Sequence, residues 1–273
     1  MSLQFAQSSF VYFNYSLQDA IRRLHEFGYQ GIEVWGGRPH MYRHDLDNEI
    51  PEIASLLARS NMVVANFIPA QFRYPSILCS LNEAVRQDSV AYIKGAIDNA
   101  LRLGSPSVSV CPGMTLEGEP LEKGWAQLKQ SIIEVLDYSD KTALKILIEP
   151  AHQWETTLIR TVSEGLQMID EIKSERLGIC FDTGHAHVNG EDFVQVVEQM
   201  KRVPFHIHID DNDGTSDSHH MPGAGKIDFA PFASALHASG YAGFVSAELG
   251  FQYTLNPDSA VRRTFVVLNT MFS

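Results

Sequence analysis

The sequence is poor in cysteine and in positive charge, and it has no long apolar run. Its three cysteines, Cys79, Cys111 and Cys180, show no paired spacing, so we expect small buried thiols in a reducing compartment rather than disulfides. The net charge is −12 and no Lys/Arg run occurs, which disfavours nucleic acid as a partner because such a surface repels phosphate backbones. No apolar stretch approaches the roughly 20 residues of a membrane span, and no apolar leader follows a basic start. We therefore expect a cytoplasmic protein that does not bind membranes.

A glycine-rich phosphate-binding motif is also missing. Two segments, Gly36-Gly37-Arg38 and Pro222-Gly223-Ala224-Gly225-Lys226, combine backbone amides with a cation and could hold an anion. Tight turns are the favoured interpretation of both segments. Whether the substrate carries a phosphate group is therefore left open by the sequence.

Short β-branched runs alternate with longer helical patterns along the whole chain of 273 residues. The predicted strands are 4–8, 31–35, 62–68, 107–111, 145–149, 177–182, 204–209 and 243–248. The predicted helices are 16–28, 49–60, 82–103, 121–142, 162–173, 190–201, 228–239 and 257–270. Because every strand is followed by a helix, the sheet should be parallel, and eight such units indicate closure into a barrel. We predict a (β/α)8 TIM barrel forming a single domain over 1–273.

Local signals agree with this division. Ser16 and Asn48 stand where helix N-caps are expected, and Pro257 stands in the first turn of the last helix. The longest irregular stretches are 36–47, 69–80, 112–120 and 210–227. Each follows a predicted strand, so all four should lie at the rim where the active sites of such barrels form.

Four consecutive predicted strands each end in a side chain that can bind a metal. The ends read Ile148-Glu149, Phe181-Asp182, Ile207-His208 and Ala247-Glu248. Since alternate residues of a strand face opposite sides, the apolar residue of each pair should face the helices and the polar residue the barrel interior. Ser107 and Ser109 give the fourth strand a similar polar inner face. An apolar barrel does not need this series, whereas a site at its mouth does.

Each of these residues alone has an ordinary explanation. A single carboxylate could form an ion pair inside the barrel, and a single strand histidine is more often a hydrogen-bonded core residue than a ligand. Side by side, the three carboxylates would be costly without a cation, so the sequence favours a metal site formed by Glu149, Asp182, His208 and Glu248. This oxygen-rich set indicates Mn²⁺ first, with Mg²⁺, Co²⁺ or Zn²⁺ as alternatives.

Histidine is concentrated between residues 185 and 220. We predict that His185, three residues after Asp182, contacts substrate or supports a ligand, with a surface loop as the alternative. His206 shares the inward parity of His208 but should lie deeper, which predicts a hydrogen-bonded core role. Trp35, Trp154 and Phe67 are candidates for the pocket lining, and rim packing is their alternative.

At this point the sequence resembles the xylose isomerase-like TIM barrels, in particular the sugar epimerases and isomerases related to tagatose/psicose 3-epimerases. The resemblance extends from Gly28-Tyr29-Gln30-Gly31-Ile32-Glu33-Val34-Trp35 to Tyr241-Ala242-Gly243-Phe244-Val245-Ser246-Ala247-Glu248. Within that group, residues 36–40 and 216–226 look most like the fructoselysine 3-epimerase branch. Psicose-type enzymes carry a substrate-binding arginine six residues after the ligand histidine, where this chain has Gly214.

The resemblance implies roles for individual residues. It implies that Glu149, Asp182, His208 and Glu248 bind a divalent metal, and that the two glutamates are also the catalytic acid and base. The implied reaction inverts the carbon next to a ketose carbonyl through a cis-enediolate, with a small sugar or sugar derivative as the substrate. The resemblance also suggests a homodimer or homotetramer. Residues implied or considered as substrate contacts are Glu155, His185, Trp35, Asp217 and His219.

Other functions remain open on the sequence. Returning the proton to the neighbouring carbon would give an aldose–ketose isomerase, and loss of a leaving group would give a dehydratase or lyase. A non-catalytic sugar-binding protein would leave the two glutamates without a purpose. An endonuclease IV-like DNA repair enzyme is a further alternative. Such enzymes bind three zinc ions, and Asp217-Ser218-His219 resembles the Asp-x-His pair that holds their third ion. Two further histidines of those enzymes have no counterpart in Asn66-Phe67-Ile68-Pro69 or Val110-Cys111-Pro112-Gly113.

Overall fold

Eight parallel strands close into a barrel in the computed structural model, which describes residues 3–71 and 76–272. The strands are β1 (Gln4–Ser8), β2 (Gly31–Gly36), β3 (Val63–Pro69), β4 (Ser107–Val110), β5 (Lys145–Ile148), β6 (Leu177–Asp182), β7 (Phe205–Ile209) and β8 (Phe244–Ala247). The helices are α1 (Leu17–Phe27), α2 (Ile50–Arg59), α3 (Glu83–Arg102), α4 (Leu121–Tyr138), α5 (Val162–Ile172), α6 (Thr183–Asn189), α7 (Phe193–Met200), α8 (Phe229–Ala238) and α9 (Pro257–Met271). Strands pair in chain order and β1 pairs with β8, which confirms the predicted fold class.

The differences from the predicted elements have local causes. Helix α6 was not expected, because Thr183–Asn189 lacks an apolar period; it begins where the Asp182 side chain accepts the His185 N–H as an N-cap. The prediction of Asn48 as an N-cap is wrong, since α2 has Glu49 at its N-cap and Pro51 in its first turn. Helix α4 ends at Tyr138 rather than at 142, and the N–H of Ser139 bonds the Val135 carbonyl to close its last turn.

The inner face of the barrel is polar, as the alternation predicted. Asn66 donates to the Ser109 hydroxyl at 2.7 Å and accepts from the Ser107 hydroxyl at 2.6 Å, and all three side chains are buried. The opposite parity, which includes Ile146 and Ile148, is fully buried against the helices. The apolar core therefore lies between strands and helices, while the space inside the strands is available for polar groups.

The rim loop after β7 is tied to a single buried carboxylate. Asp211 accepts hydrogen bonds from the backbone N–H groups of Gly223, Gly225 and Ile227 at 2.9–3.0 Å. A Cβ at Gly225 would lie 2.3 Å from an Asp211 oxygen, so this position needs glycine. These amides are used inside the protein, which supports the interpretation of residues 222–226 as a turn rather than an anion site.

Other sequence expectations can be compared directly with the structure. The thiols are free; Cys79 and Cys180 are buried, whereas Cys111 is partly exposed at the pocket. No helix within residues 3–71 and 76–272 is long and apolar enough to cross a membrane. The expected rim stretch 69–80 falls partly on residues 72–75, which lie outside the described part of the chain.

Candidate active site

The carboxyl ends of β5 to β8 bring the four predicted ligands together. Asp182 closes β6 and is in register with His208 on β7. Glu149 and Glu248 follow their strands by one residue, and their N–H groups bond the neighbouring strands at 3.0 and 3.1 Å, which fixes both backbones. One ligand atom from each of the four side chains lies within 4.8 Å of the other three.

His208 is the centre of this group and faces carboxylates on both sides of its ring. Its Nδ1 atom lies 2.7 Å from Glu149 Oε1, 3.0 Å from Glu248 Oε2 and 4.0 Å from Asp182 Oδ2. Its Nε2 atom lies 2.9 Å from Glu33 Oε1. If Nε2 carries the hydrogen and donates a hydrogen bond to Glu33, Nδ1 presents a lone pair to the other three side chains, as the ring of a metal-binding histidine does.

Glu33 is one residue of this site that sequence reasoning missed. It lies on β2, is completely buried, and contacts both His208 and His206, the latter at 2.9 Å. His206 also lies 3.0 Å from the Ser246 hydroxyl, so the hydrogen-bonded role predicted for it is confirmed. The available signal was a charged residue at an inward position of an otherwise apolar strand.

Burial dominates the electrostatics of the group, because it disfavours every charged form. It raises the pKa of Glu149 and of Asp182 above their usual range. Burial also opposes ionisation of Glu248, but the charge and hydrogen bond of His208 hold its pKa below the ordinary value. Burial likewise opposes protonation of His208, but the neighbouring Cys180 and carboxylates raise its pKa well above the ordinary value. The carboxylates thus need a positive charge among them in order to remain ionised.

The donor set fits a divalent cation. Asp182 Oδ2 is buried and has no hydrogen-bond partner among the described residues, whereas its other oxygen caps α6. Three carboxylates and one imidazole form the type of oxygen-rich site that binds Mn²⁺ or Mg²⁺. The structure therefore contains a group of residues that could hold a metal ion.

A second group of polar side chains, buried or partly buried, lies beside the first. Asp217 Oδ2 lies 2.8 Å from His219 Nε2, 3.1 Å from His185 Nε2 and 3.4 Å from His152 Nε2. Glu155 Oε2 lies 3.7 Å from His185 Nε2. The residues predicted to contact substrate are thus brought together, while His152 was not expected; it follows Glu149 by three residues and gave no periodic signal.

A cavity of about 570 Å³ at the mouth of the barrel is lined by Glu149 and Glu248 of the first group and by the second group. Trp35 forms part of its wall and contacts Phe10 edge to face, with the ring centroids 5.2 Å apart. Trp154 also lines the cavity and is 49 % exposed. The expectation for Phe67 is wrong, because its β3 parity directs it outward, where it is fully buried beneath Gly36.

Comparison with known proteins identifies the family. Residues 21–268 match the family model described as "Xylose isomerase-like TIM barrel". The chain therefore belongs to the xylose isomerase-like TIM barrel family, which confirms the resemblance found in the sequence.

Two similar proteins are sugar epimerases by name. The chain is 28 % identical to a fructoselysine 3-epimerase of Shigella flexneri over 88 % of each chain. It is 25 % identical to a solved structure described as a D-tagatose 3-epimerase-like protein, with a TM-score of 0.82 over 99 % of this chain and 100 % of the other. These matches confirm the prediction of an enzyme in the epimerase and isomerase group.

A DNA repair enzyme is also among the relatives. The chain is 24 % identical to a probable endonuclease 4 of Mycobacterium ulcerans over 82 % of this chain and 87 % of that protein. Residues 63–71 and 107–113 contain no histidine, so the two additional metal ligands expected of that alternative are missing from the ends of β3 and β4.

Proposed function

We propose that the protein is a divalent metal-dependent epimerase that inverts the carbon next to the carbonyl of a ketose or ketose derivative. The observation that carries the proposal is the convergence of two glutamates on one point. Glu149 and Glu248 approach His208 Nδ1 to 2.7 and 3.0 Å from β5 and β8, two strands that are not neighbours in the barrel. They can therefore address a bound substrate from different directions.

In this proposal each glutamate serves one face of the substrate. One carboxylate removes the proton from carbon 3, and the other returns a proton to the opposite face, which inverts the centre without a redox cofactor. Glu149, Asp182, His208 and Glu248 would hold the metal, Mn²⁺ by preference, and the bound cation would polarise the substrate carbonyl. Glu149, Asp182 and His208 are buried and Glu248 is partly buried, which limits the access of bulk water to the proton being moved.

The remaining pocket residues are proposed to position the sugar. Glu155, His185, Asp217 and His219 offer hydrogen bonds at one side of the cavity, and Trp35 offers a flat apolar wall. The names of the similar proteins, which include a fructoselysine 3-epimerase and a D-tagatose 3-epimerase-like protein, support a ketose or a ketose derivative as the substrate class.

Proton exchange with solvent tests this mechanism. The Mn²⁺-loaded protein would be incubated in D₂O with fructose, tagatose, psicose, sorbose and fructoselysine, and the metal removed before NMR. Deuterium at carbon 3 together with a new epimer is expected for the true substrate. Deuterium at carbon 1 with aldose formation would show an isomerase, and loss of a leaving group would show a lyase. No exchange in any of these compounds, with metal bound, would contradict the proposal for free ketoses and fructoselysine.

Two variants separate the roles of the glutamates. Glu149→Gln and Glu248→Gln should each lower the rate of epimer formation by about 10²–10⁴. Each variant that retains metal should still exchange the carbon-3 proton of one epimer only. This follows because the remaining glutamate can remove and return a proton on its own face. Glu171→Gln is the matched control, since Glu171 pairs with Lys129 on the outside of the barrel. Exchange of both epimers by either single variant would contradict two-sided proton transfer.

A further inference from the structure

A chain of three hydrogen bonds runs behind one side of the cavity. It connects Trp35, near the end of β2, to Ser9, which directly follows β1. It continues from Ser9 to His40, in the loop after β2, and from there to Tyr15, which lies between β1 and α1. Ser9 and His40 are fully buried, and neither belongs to the described lining of the cavity. These two residues can therefore act on a substrate only through Trp35.

The direction of each hydrogen bond is set by the last acceptor of the chain. His40 Nε2 lies 3.1 Å from the carbonyl oxygen of Tyr15, which can only accept, so Nε2 carries the hydrogen. Burial lowers the pKa of His40 to about 4, so near pH 7 the ring is neutral and Nδ1 has a lone pair. The Ser9 hydroxyl, 3.0 Å away, therefore donates to Nδ1, and its oxygen accepts the backbone N–H of Trp35 at 2.9 Å. His40 thus determines how the Ser9 oxygen faces Trp35.

The contact between Ser9 and Trp35 lies just beyond the end of a strand pair. The register of β1 and β2 ends with Ser8 opposite Glu33. Past this pair β1 offers no further backbone partner, and the Ser9 hydroxyl supplies the acceptor for the Trp35 N–H instead. A backbone N–H that loses its acceptor is costly when water cannot replace it. The hydrogen-bond chain therefore holds β2 in place where the sheet meets the cavity.

Trp35 and Phe10 together form an apolar wall of the cavity. The indole of Trp35 lies over the backbone of Gly37, where a Cβ would come within 2.2 Å of the ring. The Phe10 ring meets the indole edge to face, with the centroids 5.2 Å apart. Because Phe10 directly follows Ser9, the hydrogen bond from Trp35 to Ser9 fixes the backbones of both wall residues relative to each other.

We propose that His40 is a positioning residue, which through Ser9 holds Trp35 and with it the apolar wall against which the sugar binds. The role of the wall rests on the proposed function, but its position can be measured without any reaction. His40 should act on substrate binding rather than on proton transfer, because it is remote from the two glutamates that are proposed to move the proton.

Two substitutions of His40 each retain one of its hydrogen bonds. His40→Asn places its amide near the position of Nδ1 and can still accept from Ser9, whereas His40→Gln places its amide near that of Nε2 and can still donate to Tyr15. If His40 acts through Ser9, His40→Gln should behave like Ser9→Ala, and His40→Asn should behave like the wild type. A histidine that only stabilises the fold would not separate the two variants in this way.

Fluorine NMR reports the position of Trp35 without a substrate. The three tryptophans would be labelled with 5-fluorotryptophan, and the Trp35 signal would be assigned by its loss in Trp35→Phe. His40→Gln and Ser9→Ala should shift this signal by more than its linewidth, whereas His40→Asn should not. The signal of Trp125, on α4, is the internal control and should stay in place in all variants. A Trp35 signal that is unmoved in His40→Gln, or equally moved in His40→Asn, would overturn the proposal.

Steady-state kinetics tests what the wall does for the substrate. The compound would be whichever of fructose, tagatose, psicose, sorbose and fructoselysine exchanges its carbon-3 proton. His40→Gln and Ser9→Ala should each raise KM about two- to fivefold and change kcat by less than about twofold. The double variant should raise KM no further than either single variant, because both break the same chain. Fully additive effects, or a loss confined to kcat, would contradict a role through Ser9.

The outcomes separate this inference from the proposed function. Unmoved fluorine signals together with normal proton exchange would overturn the role of His40 and leave the epimerase intact. If none of the five compounds exchanges a proton, the epimerase proposal fails for them, while the fluorine signals still decide whether His40 positions Trp35. Circular dichroism of each variant shows whether the fold is retained, so that a moved signal is not mistaken for unfolding.

Discussion

The two halves of the barrel are built for different tasks. The ends of β5 to β8 carry Glu149, Asp182, His208 and Glu248, whereas the ends of β1 to β4 contribute mainly apolar or neutral side chains such as Trp35 and Ile68 to the cavity. The charged residue of the first half, Glu33, lies deeper and reaches across the barrel to His208. The side chains that we propose to react therefore lie on one half, while the other half supplies a wall of the cavity and a contact to His208.

The largest contrast between the halves should appear in turnover. Glu149→Gln or Glu248→Gln should lower kcat by about 10²–10⁴, because each removes a proton-transfer group. Trp35→Ala on the opposite half should mainly raise KM, by roughly tenfold or less, since it removes a contact made equally before and during the reaction. Steady-state kinetics on the substrate found by proton exchange provides the measurement. A Trp35→Ala variant that loses as much kcat as the glutamate variants would contradict the assignment of different roles to the two halves.

Metal removal should affect the two halves unequally. A ligand at 100 times its Kd stabilises the folded state by about 2.7 kcal/mol, so dialysis against a chelator should lower Tm measurably. Hydrogen exchange followed by mass spectrometry should show the loss of protection in peptides that contain the ends of β5 to β8, with little change at the ends of β1 to β4. An equal loss of hydrogen-exchange protection at the ends of all eight strands would show that the cation does not bind specifically at the ends of β5 to β8.

The contact that crosses the barrel predicts a moderate effect. Glu33→Gln removes the carboxylate that faces His208 Nε2 at 2.9 Å, and loss of such a partner typically weakens metal binding by 10–100-fold. Competition with a fluorescent chelator measures that affinity directly. Glu171→Gln is the matched control, because Glu171 pairs with Lys129 on the outside of the barrel. Equal affinities for wild type and Glu33→Gln would show that the first half does not orient the ligand.

A partly buried carboxylate outside the barrel mouth, that of Glu191, should change stability but not the reaction. Burial raises the pKa of Glu191 to about 7, although its contact with the Val162 N–H favours the charged form. The folded state therefore binds more protons than the unfolded state between about pH 4.5 and 7, so this residue should lower stability as pH rises through that window. Glu191→Gln should gain roughly 1–3 kcal/mol over the wild type at pH 8 and little at pH 4. Urea unfolding of both proteins at the two pH values would detect this; parallel pH profiles would contradict it.

The fold and the group of four proposed metal ligands could be predicted from the sequence for simple reasons. Parallel strands buried on both sides are short apolar runs, and the first charged residue after such a run marks its end, as at Glu149 and Glu248. Strand parity then placed Asp182 and His208 on the same inner face. These are local features, readable within one strand at a time.

The features that the sequence did not predict, Glu33, His152 and helix α6, depend on contacts between segments or on single hydrogen bonds. Glu33 and His208 are 175 residues apart, and only barrel closure brings β2 within reach of the histidine. His152 lies in an irregular loop, where no period predicts the direction of a side chain. Helix α6 forms because the Asp182 side chain accepts a single backbone N–H, an event that composition alone does not reveal.

The carboxylate of Asp211 has a consequence for how this protein can be altered. It fastens the far end of the rim loop through Gly223, Gly225 and Ile227, while residues 213–216 at the tip are outside that fastening. Changes of length or sequence at the tip should therefore leave the base of the loop in register. Ser216 at the tip lines the cavity next to Asp217, so a library confined to 213, 215 and 216, which spares the left-handed Gly214, would alter the pocket at Ser216 without disturbing the strand ends. The fold thus offers an engineer an exchangeable segment beside the strand ends that carry the proposed site.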